Sequence, residues 1–352
     1  MRVAAVAGAL VVVLLFAYLL AWPVPISPVA WEAPTFDPEA WPGTGTLAHA
    51  ERGPIPDGHG PEDVEVDDQG RVYAGLSDGR ILRWERPDAP PTVFAETGGR
   101  PLGLHWDDAG NLLVADAWNG LLAIDPSGTI QVLATECGGT PLVFADDLEV
   151  ARDGTIWFSD ATDGFRQPDW KLDLFENRPR GRLCAWDPAT RLAREVLGGL
   201  YFANGVAVDP AQQFVLVNET SRYRVRKLWI AGPKAGTDEV LVHNLPGFPD
   251  GISTGSNGVF WIAIASPRNP LLDGAADKPW LRSLMLRLPV FLQPAPERTA
   301  RAIGIDADGR VVHDLFDPNG EGIYLVTSVQ ERAGHLYLGS LVDDAWARVP
   351  VP

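Results

Sequence analysis

The sequence is short of the residues on which several kinds of binding site depend. It has only two cysteines, Cys137 and Cys184, which lie far apart without a CxxC pair, so a cysteine-based zinc site is excluded. Whether they form a disulfide in an oxidising compartment stays open at this point. Lysine and arginine total 29 against 46 acidic residues, and the formal net charge of −17 argues against nucleic acid as a partner, because its phosphates would be repelled. Metal cations and small molecules are therefore the expected ligands.

Helical periodicity is also scarce, and no long segment after the N-terminus carries it. The 36 glycines, 31 prolines and 13 tryptophans, with only two methionines, are typical of many short strands joined by turns. A hydrophobic content of 46% is enough for a sizeable core. The composition therefore predicts an all-β fold.

The N-terminus is the exception. Residues 3–22 run for about twenty residues without a charge, which is the length that crosses the hydrocarbon core of a bilayer. Arg2 precedes this stretch, whereas Glu32 and Asp37 follow it. The positive-inside bias therefore predicts a cytoplasmic N-terminus and a domain that is periplasmic, lumenal or extracellular. We predict that residues 1–22 form a transmembrane helix and anchor a single-pass membrane protein.

A cleaved signal peptide is the alternative for this segment. Its apolar region would be shorter and would end at a small-x-small site, and residues 18–21, YLLA, match such a site poorly. The sequence therefore favours the anchor. Residues 23–53 are then interpreted as a Pro-rich tether and residues 54–352 as the folded domain.

Six segments of this domain share one pattern, in which a polar start is followed by an alternating apolar strand, an acidic or glycine turn and a second strand. They are EDVEVDDQGRVYAG from Glu62, LGLHWDDAGNLLVAD from Leu102, DDLEVARDGTIWFSD from Asp146, NGVAVDPAQQFVLVNE from Asn204, DGISTGSNGVFWIAIA from Asp250 and TSVQERAGHLYLGS from Thr327. Each segment is typical of a β-hairpin, and most recur at the roughly 40–50 residues of a four-stranded propeller blade. The repeat predicts a six-bladed β-propeller with insertions in the third and fifth blades.

The first residues of the six hairpins should share one level of the central channel, because equivalent positions of the innermost strands surround it. Four of the six carry side-chain oxygen donors: Glu62, Asp146, Asn204 and Asp250. The acids among them would repel one another around an empty channel, but the four donors together suit a hard cation such as Ca²⁺. We predict that they bind calcium. Solvated loop acids that align by chance are the alternative.

Three further channel residues are candidate site residues, two acids as metal ligands and one histidine as a catalytic residue. Asp63 and Asp147, one position later, could bind a second ion deeper in the channel, or could instead satisfy backbone amides at the strand entrances. His105 is the one imidazole within reach of the ring and is a candidate catalytic residue. The alternative for His105 is a buried histidine whose hydrogen bonds are satisfied.

The insertion in the fifth blade, residues 266–299, contains the amphipathic stretch PWLRSLMLRLPVFLQ. This stretch could cover the channel mouth as a lid, rest on a membrane surface or pack against its own blade. A lid or a membrane contact would suit an apolar ester or lactone as the substrate.

Ten motifs, in order, carry a resemblance to a known family: GPEDVEV, DGRILRW, GRPLGL, ADAWNGLL, FADDLEV, FSDAT, FANGVAV, GPKAGT, PGFPDGI and HLYLGSL. They resemble the strictosidine synthase-like proteins, which include the membrane-anchored adipocyte plasma membrane-associated type. More distantly, they resemble paraoxonases and the gluconolactonase (senescence marker protein) group. The resemblance covers residues 55–348. It implies a six-bladed propeller with calcium in the channel and, as in many relatives, hydrolysis of lactones or aryl esters.

Site residues follow from the resemblance position by position. It implies the calcium ligands Glu62, Asp146, Asn204 and Asp250 and, for a deeper paraoxonase-like ion, Asp63, Asp147 and the carbonyl of Leu104. Relatives often have Asn where this chain has Asp146, and paraoxonases have Asn where it has Gly251. Two further departures bear on catalysis. The histidine that paraoxonases place beside the metal falls on Leu102, and the catalytic glutamate of true strictosidine synthases falls on Thr327. Strictosidine synthesis is therefore not expected.

Two hypotheses from different classes remain. The first is a calcium-dependent hydrolase of lactones or of aryl and other carboxylic esters, in which the metal polarises the substrate carbonyl and Asp146 or Asp250 guides the water. The second is a non-catalytic, membrane-anchored propeller that binds a small ligand or a protein partner. The ring of oxygen donors serves either role, so the sequence leaves open whether the protein is an enzyme.

Overall fold

The computed structural model describes residues 2–352, and in the first helix it describes the side chains of residues 6–8, 10, 13, 14 and 17–21. The α-helices of this part of the chain are α1 (Arg2–Ala21), α2 (Trp170–Glu176), α3 (Pro270–Gly274) and α4 (Pro279–Leu286). Short 3₁₀ helices span Pro38–Ala40, Gly45–His49, Gln167–Asp169, Thr220–Arg222, Gly232–Lys234, Ser256–Gly258 and Val290–Leu292.

Within the described residues, no helix is long and apolar enough to cross a membrane. Residue 1 of the predicted anchor, residues 1–22, lies outside the described residues. The anchor therefore stays a prediction.

Six four-stranded antiparallel sheets form the blades. Blade one contains β2 (Val64–Val66), β3 (Val72–Gly75), β4 (Arg80–Trp84) and β5 (Thr92–Glu96); blade two contains β6 (Pro101–Trp106), β7 (Leu112–Asp116), β8 (Gly120–Ile124) and β9 (Ile130–Ala134). A small hairpin follows, β10 (Glu136–Cys137) with β11 (Thr140–Pro141). Blade three contains β12 (Ala145–Val150), β13 (Ile156–Asp160), β14 (Gly181–Asp187) and β15 (Leu192–Leu200).

The second half of the ring repeats this order. Blade four contains β16 (Ala203–Val208), β17 (Phe214–Glu219), β18 (Arg224–Trp229) and β19 (Asp238–Val242); blade five contains β20 (Gly247–Thr254), β21 (Phe260–Pro267), β22 (Ala300–Ile305) and β23 (Val311–Asp317). Blade six contains β24 (Val326–Arg332), β25 (His335–Ser340), β26 (Ala345–Pro350) and β1 (Glu51–Pro54). The six-bladed β-propeller predicted from the repeat is confirmed.

The last blade is closed by a strand from the start of the domain. β1 pairs antiparallel with β26, with Glu51 opposite Arg348 and Pro54 opposite Ala345. This strand comes from the end of the segment that the sequence assigned to the tether. Because the first and last strands lie side by side, the ring of blades closes through backbone hydrogen bonds.

Six of the buried hydrophobic clusters among the described residues each fill the gap between two neighbouring blades. Between blades six and one, the fully buried rings of Trp84 and Trp346 meet edge to face with centroids 5.9 Å apart. Large aromatic side chains suit this position because blades diverge from the channel outwards and leave a wide gap to fill. The tryptophan-rich composition is thus used between blades.

The hairpin turns follow from their sequence. In blade one, Asp67 Oδ1 accepts hydrogen bonds from the backbone N–H groups of Gln69 and Arg71, both at 2.9 Å. Gly70 completes the turn at φ +78°, in the left-handed region that glycine adopts most easily. The acid-and-glycine turn therefore ends the inner strand of this blade where the pattern predicts.

Both predicted insertions are present and both contain helices. α2 lies between β13 and β14 in blade three, and α3 and α4 lie between β21 and β22 in blade five. Near the first of them, Cys137 and Cys184 form a disulfide that ties the β10–β11 hairpin to β14.

Part of the predicted tether is packed against these helices. Ser27 N–H donates to Glu176 Oε1 over 2.7 Å, and the guanidinium of Arg282, on α4, donates to the carbonyl of Val29. Ile26 is buried in a cluster that also contains Met285. The segment that links α1 to the propeller therefore lies between α2 and α4.

Candidate functional site

The inner strands bring their first residues to one place in the channel. The oxygen-donating side chains at this level line a common cavity: Glu62, Asp146, Asn204 and Asp250. The first three are buried and Asp250 is partly buried. The structure thus brings the four predicted ligands together. Their binding of calcium stays a prediction.

A break in strand pairing positions these side chains. In five inner strands the register with the second strand shifts beside the ring residue, between Pro101 and Leu104, Ala145 and Leu148, Ala203 and Val206, Pro249 and Ile252, and Val326 and Val329. A β-bulge of this kind redirects side chains locally. Asp146 and Asp147 therefore both line the channel, although consecutive residues of a regular strand point to opposite faces.

Burial and neighbouring negative charges disfavour the ionised form of the acids of the ring. Burial, followed by the charges of Asp250 and Asp146, raises the pKa of Glu62 well above its usual range. Burial, followed by the charge of Asp250, likewise raises the pKa of Asp146. Burial also raises the pKa of Asp250 to about 7, against the effect of a hydrogen bond with Asn204. Carboxyls in this state favour the protonated form, and a divalent cation among them would favour the ionised form.

The residues of the ring fit a hard cation chemically. All four offer side-chain oxygen atoms, which are the donors that calcium takes. Asp146 Oδ2 is buried without a hydrogen-bond partner among the described residues, so it is free to accept one. In the part of the chain that the structure describes, no group of three or more His, Cys, Asp or Glu side chains is arranged as a metal site. Calcium is therefore a proposal that rests on the donor chemistry.

Two polar residues on neighbouring strands orient the backbone of the ring. Thr327 Oγ1 donates to the carbonyl of Glu62 over 2.6 Å. Asn218 Nδ2 donates to the carbonyl of Asp250, also over 2.6 Å, and this asparagine is fully buried in β17. Asn218 is a site residue that the six-fold repeat does not predict. The sequence feature that could have revealed it is a polar residue that follows the apolar residues of the buried strand FVLVNE.

Asp63 and Asp147 use their carboxylates to join neighbouring blades. Asp63 Oδ2 accepts the backbone N–H of Leu104, in blade two, and Asp147 Oδ2 accepts that of Val206, in blade four, both over 2.8 Å. Their Oδ1 atoms accept the N–H of the residue that follows each of them. These contacts match the alternative in which the two acids satisfy backbone amides, and the second ion stays a prediction.

His105 lies in the channel beside other acids. Its Nδ1 is 3.4 Å from Glu65 Oε1, and a quarter of its side chain is exposed. Burial lowers the pKa of His105, but the hydrogen bond with Glu65 and the charges of Glu65 and Glu149 outweigh it and raise the pKa to about 9. An imidazole with this pKa is protonated at neutral pH. It suits a cationic partner of Glu65 better than a general base.

The ring separates two cavities of different character. One, of about 750 Å³, is polar and is lined by acids and by His105. The other, of about 100 Å³, is apolar and is lined by Leu102, Phe144, Trp170, Phe175, Phe202 and Phe248 among others. Glu62, Asp146 and Asn204 line both cavities. The oxygen donors therefore form the floor of an apolar pocket.

The roof of the apolar pocket comes from both insertions. α2 contributes Trp170 and Phe175, and the insertion in the fifth blade contributes Leu272 and residues 294–297. These residues lie outside the amphipathic stretch PWLRSLMLRLPVFLQ, so the role of that stretch as a lid stays a prediction. The role of α2 in the roof could not be predicted from the sequence, since seven residues are too few to show a helical period.

Comparisons with known proteins identify the family. A family model described as "Strictosidine synthase" matches residues 146–233, and one described as "Strictosidine synthase-like, N-terminal" matches residues 45–84. The protein STRICTOSIDINE SYNTHASE-LIKE 10 of Arabidopsis thaliana is 35% identical over 315 residues, which cover 80% of this chain and 83% of that protein. The adipocyte plasma membrane-associated protein of Bos taurus is 33% identical over 292 residues, 76% of this chain and 71% of that protein.

Solved structures show the same fold at low sequence identity. A gluconolactonase from Xanthomonas campestris superposes with a TM-score of 0.60 at 18% identity, covering 94% of this chain and 99% of that one. A calcium-binding protein, regucalcin, from Agrobacterium tumefaciens superposes with a TM-score of 0.54 at 13% identity, covering 93% and 91%. These likenesses establish the propeller fold.

Proposed function

The chain belongs to the strictosidine synthase-like family, and on that premise we propose that it is a calcium-dependent hydrolase of lactones or of aryl and other carboxylic esters. The observation that carries the proposal is a ring of buried oxygen donors at the floor of an apolar pocket. Two proteins of the same fold support it by name, since one is a gluconolactonase and the other a calcium-binding protein.

The residues of the site would have separate roles in metal binding, water orientation and substrate binding. Glu62, Asp146, Asn204 and Asp250 would hold the ion. When bound, calcium supplies polarisation of the substrate carbonyl and stabilisation of the oxyanion. Asp146, whose Oδ2 makes no hydrogen bond with the residues that the structure describes, would orient the attacking water, with Asp250 as the alternative. The apolar wall would bind the carbon skeleton of the substrate and exclude bulk water.

Strictosidine synthesis is not part of the proposal. The position that carries a catalytic glutamate in true strictosidine synthases, by the sequence resemblance, is Thr327. Its hydroxyl donates to the carbonyl of Glu62. A hydroxyl committed to a backbone carbonyl cannot replace a carboxylate base in an amine condensation.

Assays of the full chain on a panel of aliphatic lactones and aryl esters, with calcium and with a chelator, test the proposal. We expect turnover that the chelator abolishes. Asp146→Ala and Asp250→Ala should each abolish hydrolysis and high-affinity calcium binding by calorimetry, because each removes an anionic donor from the shared ion. Asp78→Ala is the matched control, since Asp78 lies exposed in a hairpin turn and bonds Arg80. It should leave both properties nearly intact.

The second candidate function is a propeller that binds a ligand without catalysis. The observation in its favour is that Leu102 occupies the position of the metal-side histidine of paraoxonases and lines the apolar wall. Calcium-dependent ligand binding without chelator-sensitive turnover on any member of the panel would favour this function.

We also propose that the protein is associated with a membrane through residues 3–22, with the propeller outside the cytoplasm. The uncharged stretch and a relative named for plasma membrane association support it. The disulfide between Cys137 and Cys184 fits an oxidising compartment. Flotation with phosphatidylcholine vesicles tests the association. A chain that stays at the bottom of the gradient after vesicles are added would refute it.

A further inference from the structure

The insertion in the fifth blade leaves a set of large apolar side chains exposed. Val290 and Phe291, in its short 3₁₀ helix, are 79% and 83% exposed, Leu292 beside them is 56% exposed, and Trp280 on α4 is 64% exposed. Leu271 on α3 is exposed as well. We call these five residues the insertion tip. Isolated exposed apolar residues are ordinary on a protein surface, but five in one insertion, three of them consecutive, indicate a contact with an apolar partner.

The end of α1 is attached to the same insertion. Arg287, which follows α4, donates to the carbonyl of Trp22 over 2.6 Å and to that of Leu19 over 3.3 Å. Trp22 is 59% exposed, and its ring lies 5.6 Å from that of Tyr18. Tryptophan and tyrosine at the end of an apolar helix are typical of the level of the lipid headgroups. The insertion tip and the end of α1 therefore belong to one side of the molecule.

The apolar pocket is lined by residues next to the insertion tip. Its roof includes Leu272, next to Leu271 of the insertion tip, and residues 294–297, which follow Leu292 closely. The 3₁₀ helix is held to α4 because Gln293 Nε2 donates to the carbonyls of Leu286 and Leu288. The insertion tip is thus held next to the residues that line the pocket.

We propose that the insertion tip, with Trp22, inserts into the surface of the lipid bilayer and holds the mouth of the apolar pocket against it. The partner is the bilayer itself rather than an anionic headgroup, because the side chains of the tip are uncharged and the chain carries a net charge of −17. An apolar ester or lactone dissolved in the bilayer would then reach the ring of oxygen donors without crossing water.

A single introduced cysteine tests the depth of the tip. Both native cysteines are bonded to each other, so Phe291→Cys in the full chain provides the one free thiol for a bimane label. Leu192→Cys is the matched control, since Leu192 is 66% exposed on the outermost strand of blade three. In nanodiscs of brominated phosphatidylcholine, we expect the fluorescence at 291 to fall by roughly half or more relative to unbrominated lipid, and that at 192 to stay unchanged.

This inference rests on the proposed membrane association, and flotation separates the two. A chain that floats with phosphatidylcholine vesicles but shows no more quenching at 291 than at 192 would overturn the insertion of the tip alone. A chain that does not float would overturn both. Shielding of the label at 291 that increases with protein concentration without lipid would also overturn it, since it would mark the tip as a contact between two copies of the chain.

Discussion

Asp173 on α2 is a buried acid that should make the stability of the propeller depend on pH. Its side chain is inaccessible to solvent, and neither carboxylate oxygen makes a hydrogen bond of normal geometry with a described residue. Burial raises its pKa from 3.8 to about 7, the contact with Thr162 lowers it in part, and the charge of Glu176 adds to the rise. Asp173→Asn removes the charge and keeps the shape of the side chain.

The size and sign of the effect follow from this pKa. Between pH 4 and pH 7 the folded state keeps a proton on Asp173 that the unfolded state loses, so the free energy of unfolding falls as the pH rises through this range. The loss is complete above pH 7. A rise from 3.8 to about 7, at about 1.4 kcal/mol per pH unit, corresponds to about 4 kcal/mol as an upper value. The Asp173→Asn variant should therefore gain stability over the wild type as the pH rises.

Urea unfolding of the full chain in detergent, followed by tryptophan fluorescence at pH 4, 6 and 8, measures this difference. We expect the two proteins to be similar at pH 4 and the variant to be more stable by 1 to about 4 kcal/mol at pH 8. The other buried acids cancel in the comparison. Asp88→Asn, at an exposed acid beside Arg86, should show no such trend. A constant difference across the pH range, or a variant that is less stable at pH 8, would refute the reasoning.

Three further changes have expected outcomes. Arg182→Ala should cost about 3–5 kcal/mol in urea unfolding, because Asp160, 2.8 Å from the guanidinium, would be left buried and unpaired; a loss under about 1 kcal/mol would contradict this. Gly205→Ala should lower the melting temperature, because its Cβ would lie 2.2 Å from the backbone nitrogen of Ile252, whereas Gly274→Ala, with open space around it, should not; equal melting temperatures would contradict this. Removal of residues 3–22 should leave a soluble protein with unchanged β-sheet circular dichroism; loss of that signal would show that the segment is needed for the fold.

Local patterns made the fold predictable. The alternation of apolar residues and the acid-and-glycine turn are both encoded within one hairpin. The hairpin pattern recurs six times along the chain, and the six copies specify six blades. The docking of the tether could not be predicted in this way. Arg282 binds the carbonyl of Val29 from a distant part of the chain, and a backbone carbonyl carries no sequence signal. The formation of the disulfide could not be predicted for a related reason, since Cys137 and Cys184 meet only through tertiary structure.

The ring was predictable because its residues share one position in the repeat. The roles of the ring residues were harder to predict from the sequence, because neighbouring acids in the same strand have different surroundings. Asp146 Oδ2 has no hydrogen-bond partner in the described part of the chain, whereas both oxygens of Asp147 accept backbone N–H groups. That difference depends on the β-bulge between Ala145 and Leu148, which a count of alternating residues does not reveal.

The bulge explains why two adjacent acids can serve two purposes in one strand. The first, Asp146, lies at the floor of the apolar pocket, and the second, Asp147, reaches the N–H of Val206 in the next blade. At the position after the ring residue, blade two carries glycine because a Cβ on Gly103 would lie 2.7 Å from the Cα of Asp147. The blade that precedes Asp147 therefore has glycine here, whereas the blade that precedes Asp63 has Ser328. Close approach between neighbouring blades therefore specifies glycine at positions 103 and 205, each one residue after the ring position.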